Sequence, residues 1–378
     1  MRTLRSLYWI LFLSIAISCQ LDRDDLVDIH DRISEPILPE TAFDYTDLHL
    51  PDYVKENIQL LQHDNSPQNN PLTNEGATLG RVLFYDMNLS LNRTVSCGSC
   101  HHQEKGFADR TALSEGFQGE HTSRNAMALG NARYYVRRRF FWDERAETLE
   151  DQVLMPFQDP LEMGLHLDSL IHRVRDLPYY PALFESAFGT DEVNANRISM
   201  ALAQFIRSMV SFRSRYDEGR DQVNSSLVPF PNFSEKENIG KSLFRSSACG
   251  GCHVTDGFLS SGPTNNGLES TPTDPGAGKT YGNPILNGSF KTSSLRNIEV
   301  TGPYMHDGRI ATLEEVIAHY SEGINFHPAM APQIQTGDGR ARKFNFTAEE
   351  KAALVAFLKT LTDQHFLSDP KFSDPFPE

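Results

Sequence analysis

The sequence predicts an all-α protein of two similar halves with long loops, on three observations. A short cysteine and histidine motif occurs twice, helix-period segments recur around both copies, and strand-like alternation is scarce. A length of 378 residues suits two modest domains. The composition, 39% hydrophobic and 22% charged, is that of a globular chain rather than a disordered one. A formal charge of -15, from 35 Lys and Arg against 50 Asp and Glu, argues against a nucleic-acid binder, whose phosphate contacts need a basic face. It leaves room for a basic protein partner.

The elements follow in chain order. Arg2 and Arg5 precede a mostly apolar run from Leu7 to Ile17, too short for a transmembrane helix and of the length of a signal-peptide core, so residues 1–18 are expected to direct export. The run ends Ala16-Ile17-Ser18-Cys19, which resembles the lipobox at which bacterial lipoproteins are cleaved and acylated on the cysteine. The alternative is a plain signal peptide with an incidental Cys19. Loss of Arg2 and Arg5 would take the charge from -15 to -17. Residues 19–55 are acidic, punctuated by proline and without sustained apolar periodicity, and are expected to tether the body to a membrane. No later stretch is apolar for long enough to span one.

The remaining four cysteines decide the class. They fall as Cys97-Gly98-Ser99-Cys100-His101 and Cys249-Gly250-Gly251-Cys252-His253, two copies of the C-x-x-C-H haem-attachment pattern that leave no other cysteine after Cys19. In this pattern the thiols add to the haem vinyl groups and the histidine becomes an axial ligand of the iron. Export agrees with it, because haem c is attached outside the cytoplasm. A zinc site or a thioredoxin-like thiol pair would not need a histidine directly after both motifs.

Each motif sits in the same frame. A helix opening at Leu72-Thr73 and running through Gly80-Arg81-Val82-Leu83-Phe84 precedes the first; one opening at Phe233-Ser234, with a Ser234/Glu237 capping box, and running through Gly240-Lys241-Ser242-Leu243-Phe244 precedes the second. Downstream, the helix-period segment Ala201 to Met209 matches Ala353 to Leu361, the later copy capped by Thr347 and Glu350. That is the plan of a cytochrome c domain, so two haem domains are expected, residues 56–215 and 216–378, meeting near residues 213–232. The Gly, Pro, Ser and Thr-rich stretch from Gly257 to Ser294 is expected to be a long loop packed on the second haem or the interface.

Beyond the haem motifs, the chain carries Asn70-Pro71-Leu72, Leu79 to Asp86, Arg124-Asn125, Phe141-Trp142-Asp143-Glu144-Arg145-Ala146, Pro160-Leu161-Glu162-Met163, Ser294-Leu295-Arg296-Asn297 and Pro303-Tyr304-Met305-His306-Asp307-Gly308. In these it resembles the bacterial di-haem cytochrome c peroxidases and their relative MauG, along almost the whole body. The resemblance implies reduction of hydrogen peroxide to water at the N-terminal haem, with electrons entering through the C-terminal haem from a small cytochrome c or cupredoxin.

The resemblance also assigns roles. Glu162 matches the distal glutamate that moves a proton between the peroxide oxygens, a task for which desolvation against a haem face would raise its pKa. Without the surrounding match it would read as a solvated loop carboxylate. Gln152 matches the glutamine that positions the bound oxygen ligand. Trp142, the one tryptophan left once Trp9 departs, matches the residue between the two haems, and a large core aromatic is its other reading. Asn125, through its side chain, and Thr301 and Pro303, through their carbonyls, match the ligands of a calcium ion between the domains.

Two positions depart from the simplest family pattern. Where a histidine would close the N-terminal haem in the resting enzyme the chain has Glu115-Gly116-Phe117-Gln118, and His121 lies on the wrong side of that motif and is expected on the surface. An N-terminal haem open without prior reduction is the expectation, as in MauG. Where a methionine would ligate the C-terminal haem, Thr312 to Tyr320 places Tyr320, matching MauG's axial tyrosine; Met305 and His319 are the alternative ligands. The sequence therefore implies two covalent haems, one calcium ion and a cell-envelope lipoprotein facing the periplasm or the surface. Besides the peroxidase, two other functions stand. One is MauG-like oxidation of a protein substrate, weakened by Ser246-Ser247-Ala248 where MauG has a relay tryptophan. The other is a non-catalytic electron carrier, against which Glu162, Gln152 and the missing closing histidine count.

Overall fold

The computed structural model describes residues 34–254, 256–259 and 262–377. The expected signal peptide and Cys19 lie outside the described residues. The fold is mostly helical, and its one sheet among the described residues is the two-residue antiparallel pair β1 (Pro263–Thr264) and β2 (Phe290–Lys291). No helix of the described residues is long and apolar enough to cross a membrane.

Two helix pairs form the framework. Helix Asn74–Tyr85 starts because the Thr73 side chain accepts from the Gly76 N–H, and it packs on helix Ala195–Ser208, whose Asn194 cap accepts from the Arg197 N–H. Helix Glu235–Ser246 packs in the same way on helix Ala348–Lys359, both opened by the capping boxes legible in the sequence, Ser234 with Glu237 and Thr347 with Glu350. One glycine sets each crossing. A Cβ on Gly80 would lie 2.0 Å from the Ala201 carbonyl oxygen, and one on Gly240 would lie 1.9 Å from that of Ala353. Hydrogen-for-methyl economy at these two positions lets the helix backbones touch. Around the second pair Tyr216, Phe230, Phe244, Phe258, Phe357 and Leu354 close a core. Around the first, Phe84, Phe107 and Phe205 do so together with Phe366 and Phe372 from the end of the chain.

That last contact departs from the expected division at residues 215 and 216. The tail beyond Asp363 crosses back to the first helix pair: Tyr85 Oη donates to the Phe372 carbonyl at 2.7 Å and Arg81 Nε to that of Ser373 at 2.6 Å. The tail carries three phenylalanines, of which Phe366 and Phe372 are buried and Phe376 packs on Tyr179, and the first half supplies their cover. Residues 36–55, expected as a free tether, also pack on the body. Tyr45 and Val54 are fully buried, and the Tyr45 hydroxyl donates to the Lys371 carbonyl at 2.9 Å. The Tyr53 hydroxyl meets Asp217, which also pairs with the buried Arg296 at 2.7 Å. The segment reads as polar because its buried groups are tyrosines, whose hydroxyls find partners while their rings fill the core.

Candidate functional site: two cofactor cavities sharing one tryptophan

Each C-x-x-C-H motif is a single tight turn. Cys97–Ser99 forms a 3-10 turn closed by a Ser96/Ser99 capping box, and Cys249–Cys252 forms one α-helical turn. None of the four cysteines is in a disulfide. His101 Nδ1 lies 2.7 Å from the Phe107 carbonyl oxygen and His253 Nδ1 lies 2.9 Å from that of Phe258, so Nδ1 carries the proton and Nε2 keeps its lone pair for a metal. Phe107 and Phe258 both adopt a left-handed conformation, φ 64° and 54°, which turns each carbonyl back onto its histidine. Phe84 and Phe244 lean on the two imidazoles at 6.4 and 6.3 Å. Burial lowers the pKa of both histidines, that of His253 to about 4, and so favours the neutral ligand form. It also pushes Cys97 up to about 12 and Cys100 and Cys252 up to about 11.

Each motif forms one wall of a cavity. The first, of about 440 Å³, is lined by Cys97, Cys100 and His101 and by Trp142, Gln152 and Glu162. The second, of about 220 Å³, is lined by Cys249, Cys252 and His253 and by Trp142, Met305 and Tyr320. Two thiols and an imidazole on the wall of a largely apolar cavity fit a haem held by two thioethers and one nitrogen ligand. Trp142 lines both cavities. Its indole Nε1 donates to the Asn125 carbonyl at 2.8 Å, and its own carbonyl accepts from the Lys291 backbone N–H at 2.7 Å.

In the first cavity burial raises the Glu162 carboxyl to about 7, with Asp159 adding to the rise and Arg145 opposing it. Arg145 lines the same cavity, its guanidinium 3.5 Å from the centre of the Phe141 ring and 3.0 Å from Asp143. Sequence reasoning gave Arg145 no role of its own, although it stands in the quoted motif. Gln152 ends the turn Leu149–Gln152, which Thr148 caps. The segment that lacks a closing histidine is stitched to the Glu162 loop: the Phe117 N–H donates to the Glu162 carbonyl at 3.0 Å, and a Cβ on Gly116 would lie 1.8 Å from the Leu161 carbonyl oxygen. His121 is exposed.

In the second cavity helix Leu313–Ala318, capped by Thr312 and Glu315, runs into a π-helical turn, His319–Gly323, that carries Tyr320. Burial pushes the Tyr320 phenol up to about 12. Asn266, which sequence reasoning missed because it lies in the loop after β1 and belongs to no motif, spans two of the alternative ligands. Its Nδ2 is 3.3 Å from the Met305 sulfur and 3.5 Å from the Tyr320 hydroxyl. The third, His319, has Nε2 3.1 Å from the Asn266 carbonyl oxygen. Asn125, Thr301 and Pro303 line this cavity together. The Asn125 Nδ2 donates to the Thr111 and Ala112 carbonyls at 3.2 and 3.1 Å, which leaves its Oδ1 for a cation. The loop from Gly257 to Ser294 reaches this wall through Thr264, Asn266 and Phe290 to Ser294.

Residues 74–223 match the family profile described as di-haem cytochrome c peroxidase. The methylamine utilization protein MauG of Methylorubrum extorquens is 34% identical over 300 residues, covering 78% of this chain and 80% of that one. The cytochrome c551 peroxidase of Nitrosomonas europaea is 33% identical over 290 residues, covering 76% and 79%. Among solved structures, a MauG-like protein associated with microbial copper homeostasis superposes with a TM-score of 0.71 at 36% identity, covering 82% of this chain and 95% of that one. The diheme peroxidase BthA of Burkholderia thailandensis, at 22% identity and a TM-score of 0.66, shares the fold. With relatives this similar over most of both lengths, the chain belongs to the family of di-haem cytochrome c peroxidases and MauG proteins.

Proposed function

We propose that this protein is a di-haem c-type peroxidase that reduces hydrogen peroxide to water in the first cavity, with electrons delivered by way of the second. The observation that carries the reading is Glu162, a buried carboxyl with a pKa raised to about 7 in the same cavity as Cys97, Cys100 and His101. A group that must take a proton and return it works best with a pKa near the operating pH. Bound haem would supply the iron to which peroxide binds and the electrons that split its O–O bond. Glu162 takes the proton from the inner peroxide oxygen and hands it to the outer one, which leaves as water. Gln152 orients the peroxide through its amide, and the Arg145 charge helps to keep Glu162 from being held permanently protonated. Trp142, on the wall of both cavities, is the side chain through which electrons pass between them.

Tyr320 supports a second reading. As a ligand its phenolate is a hard anionic donor that lowers the potential of the second haem, which suits storage of oxidising equivalents and MauG-like oxidation of a protein. Asn125, Thr301 and Pro303 are assigned to a calcium ion, and the partner to a small cytochrome c or cupredoxin. The apolar leader and the haem-attachment motifs support a location in the cell envelope, with Cys19 as the lipid-anchor candidate. The experiment is rapid mixing of the oxidised holoenzyme with hydrogen peroxide, followed by turnover with a reduced donor. A spectral change that forms at once and decays on donor addition is expected. Absence of any reaction with peroxide would overturn the reading.

A further inference from the structure

Lys291 is buried on the boundary between the two cavities. Its backbone N–H holds the Trp142 carbonyl, and its ammonium donates to the Arg139 carbonyl three residues earlier in the same segment. That ammonium also lies 3.3 Å from the centre of the Tyr135 ring and 4.7 Å from that of Phe140. Lys291 lines the second cavity, whereas Tyr135, Phe140 and Trp142 line the first. Glu144, the acidic group that acts on Lys291, is committed to Arg137 at 2.9 Å and to the Tyr281 hydroxyl at 2.7 Å, and the Arg139 guanidinium turns to Glu147 and the Glu144 carbonyl. The lysine charge is therefore balanced by a neutral carbonyl and two ring faces, all presenting negative ends to a cation. Burial pulls its pKa well below the ordinary lysine value, with Glu144 opposing the fall, while a carbonyl and two ring faces are contacts that favour the charged form.

We propose that Lys291 steers oxidising equivalents towards Trp142 by making Tyr135 a poor electron donor. The inference rests on the peroxidase reading above. Reducing hydrogen peroxide to two waters consumes two electrons and two protons, and until the donor arrives an electron can come from an aromatic side chain on the cavity wall. A tyrosine yields an electron readily only if its phenolic proton leaves with it; with the proton held, the oxidised ring would be a radical cation. A tryptophan yields one electron and becomes a radical cation. The attraction of an ammonium for an aromatic face turns into repulsion as the ring loses an electron, and in a buried site that repulsion is little screened. Burial also holds the Tyr135 phenolic proton in place by raising its pKa. Trp142 has its indole N–H on the neutral Asn125 carbonyl instead. Lys291 thus acts through Tyr135 and the Trp142 backbone, as a positioning residue that does not touch peroxide.

The test treats the holoenzyme with hydrogen peroxide in the absence of donor, reads radicals by electron paramagnetic resonance, and maps added oxygen by peptide mass spectrometry. In the parent protein Trp142 should be oxidised at least threefold ahead of Tyr135. Lys291→Met should reverse that order and produce a tyrosyl signal, Lys291→Met with Tyr135→Phe should remove the signal, and Lys291→Arg should keep the parent pattern. Oxidation of Tyr135 in the parent as fast as Trp142 overturns the proposal whether or not any variant folds, as does a haem-loaded Lys291→Met protein with the parent pattern. A parent that does not react with peroxide brings down the peroxidase reading and this proposal with it. One that reacts but oxidises Tyr135 first brings down this proposal alone.

Discussion

Glu162 combines a proton-transfer task with an environment that sets its pKa. Below about pH 7 the carboxyl is protonated and has no site for the first peroxide proton, so the rate of peroxide cleavage should rise with pH through about 7. Glu162→Gln should keep haem content, slow cleavage by about 10²-fold, the scale of a lost general acid-base group, and flatten that rise. Stopped-flow rates across pH check both. Tyr320→Phe should change the spin state of the second haem and remove any oxidised state shared between the haems. A variant with the parent spectrum would move the ligand to Met305 or His319. The residues of both haem motifs were legible because their chemistry depends on type and spacing, whereas Glu162 and Trp142 were singled out only by the family resemblance of the segments around them. Asn266 was not, because a single loop asparagine leaves no pattern, and its position under Met305 and Tyr320 follows only from the path of the folded loop.

Among the elements, helix starts were the most legible. Ser234 with Glu237 and Thr347 with Glu350 close the capping boxes read from the sequence, a local arrangement that four residues suffice to specify, and Thr312 with Glu315 closes a third. The left-handed Phe107 and Phe258 lay beyond reach, since nothing in a phenylalanine announces a positive φ; the tertiary fold imposes it and gains a carbonyl for each histidine. The stitched segment around Gly116 yields two predictions. Because Glu115 occupies the place of a closing histidine and the segment is bonded to the Glu162 loop, the fully oxidised protein should show one high-spin and one low-spin haem and react with peroxide without prior reduction. Two low-spin haems in the resting spectrum would contradict this. Gly116→Ala must displace the Leu161 carbonyl, so it should cost about 1–3 kcal/mol in thermal unfolding and slow peroxide cleavage through the shifted Glu162.

At the scale of the molecule, the two ends of the described chain are bound to each other and to the first helix pair, where Tyr45 packs on Phe205 and Arg81 and Tyr85 hold the tail. The Ile37 N–H donates to the Pro375 carbonyl at 2.7 Å, and Tyr45 reaches Lys371. Deleting residues 36–55 should therefore destabilise the body by about 3 kcal/mol or more, the scale of uncovering several large apolar groups, as measured by denaturant unfolding of the holoenzyme. Composition gave no warning, since the segment's anchors are a few tyrosines among acids and prolines. The charge of -15 bears on the donor: a basic redox protein should reduce this enzyme more slowly as salt rises, and a flat response would exclude electrostatic steering. Finally, the two glycine crossings bear on how far this sequence can drift. Where backbone rests on backbone, at Gly80 on Ala201 and Gly240 on Ala353, the spacing of the helices is a van der Waals limit that no core side chain controls. Substitutions elsewhere in the core can then accumulate without moving the cysteine and histidine anchors that follow each helix. Within each half, the seat of the cysteine and histidine anchors is thereby buffered against mutation.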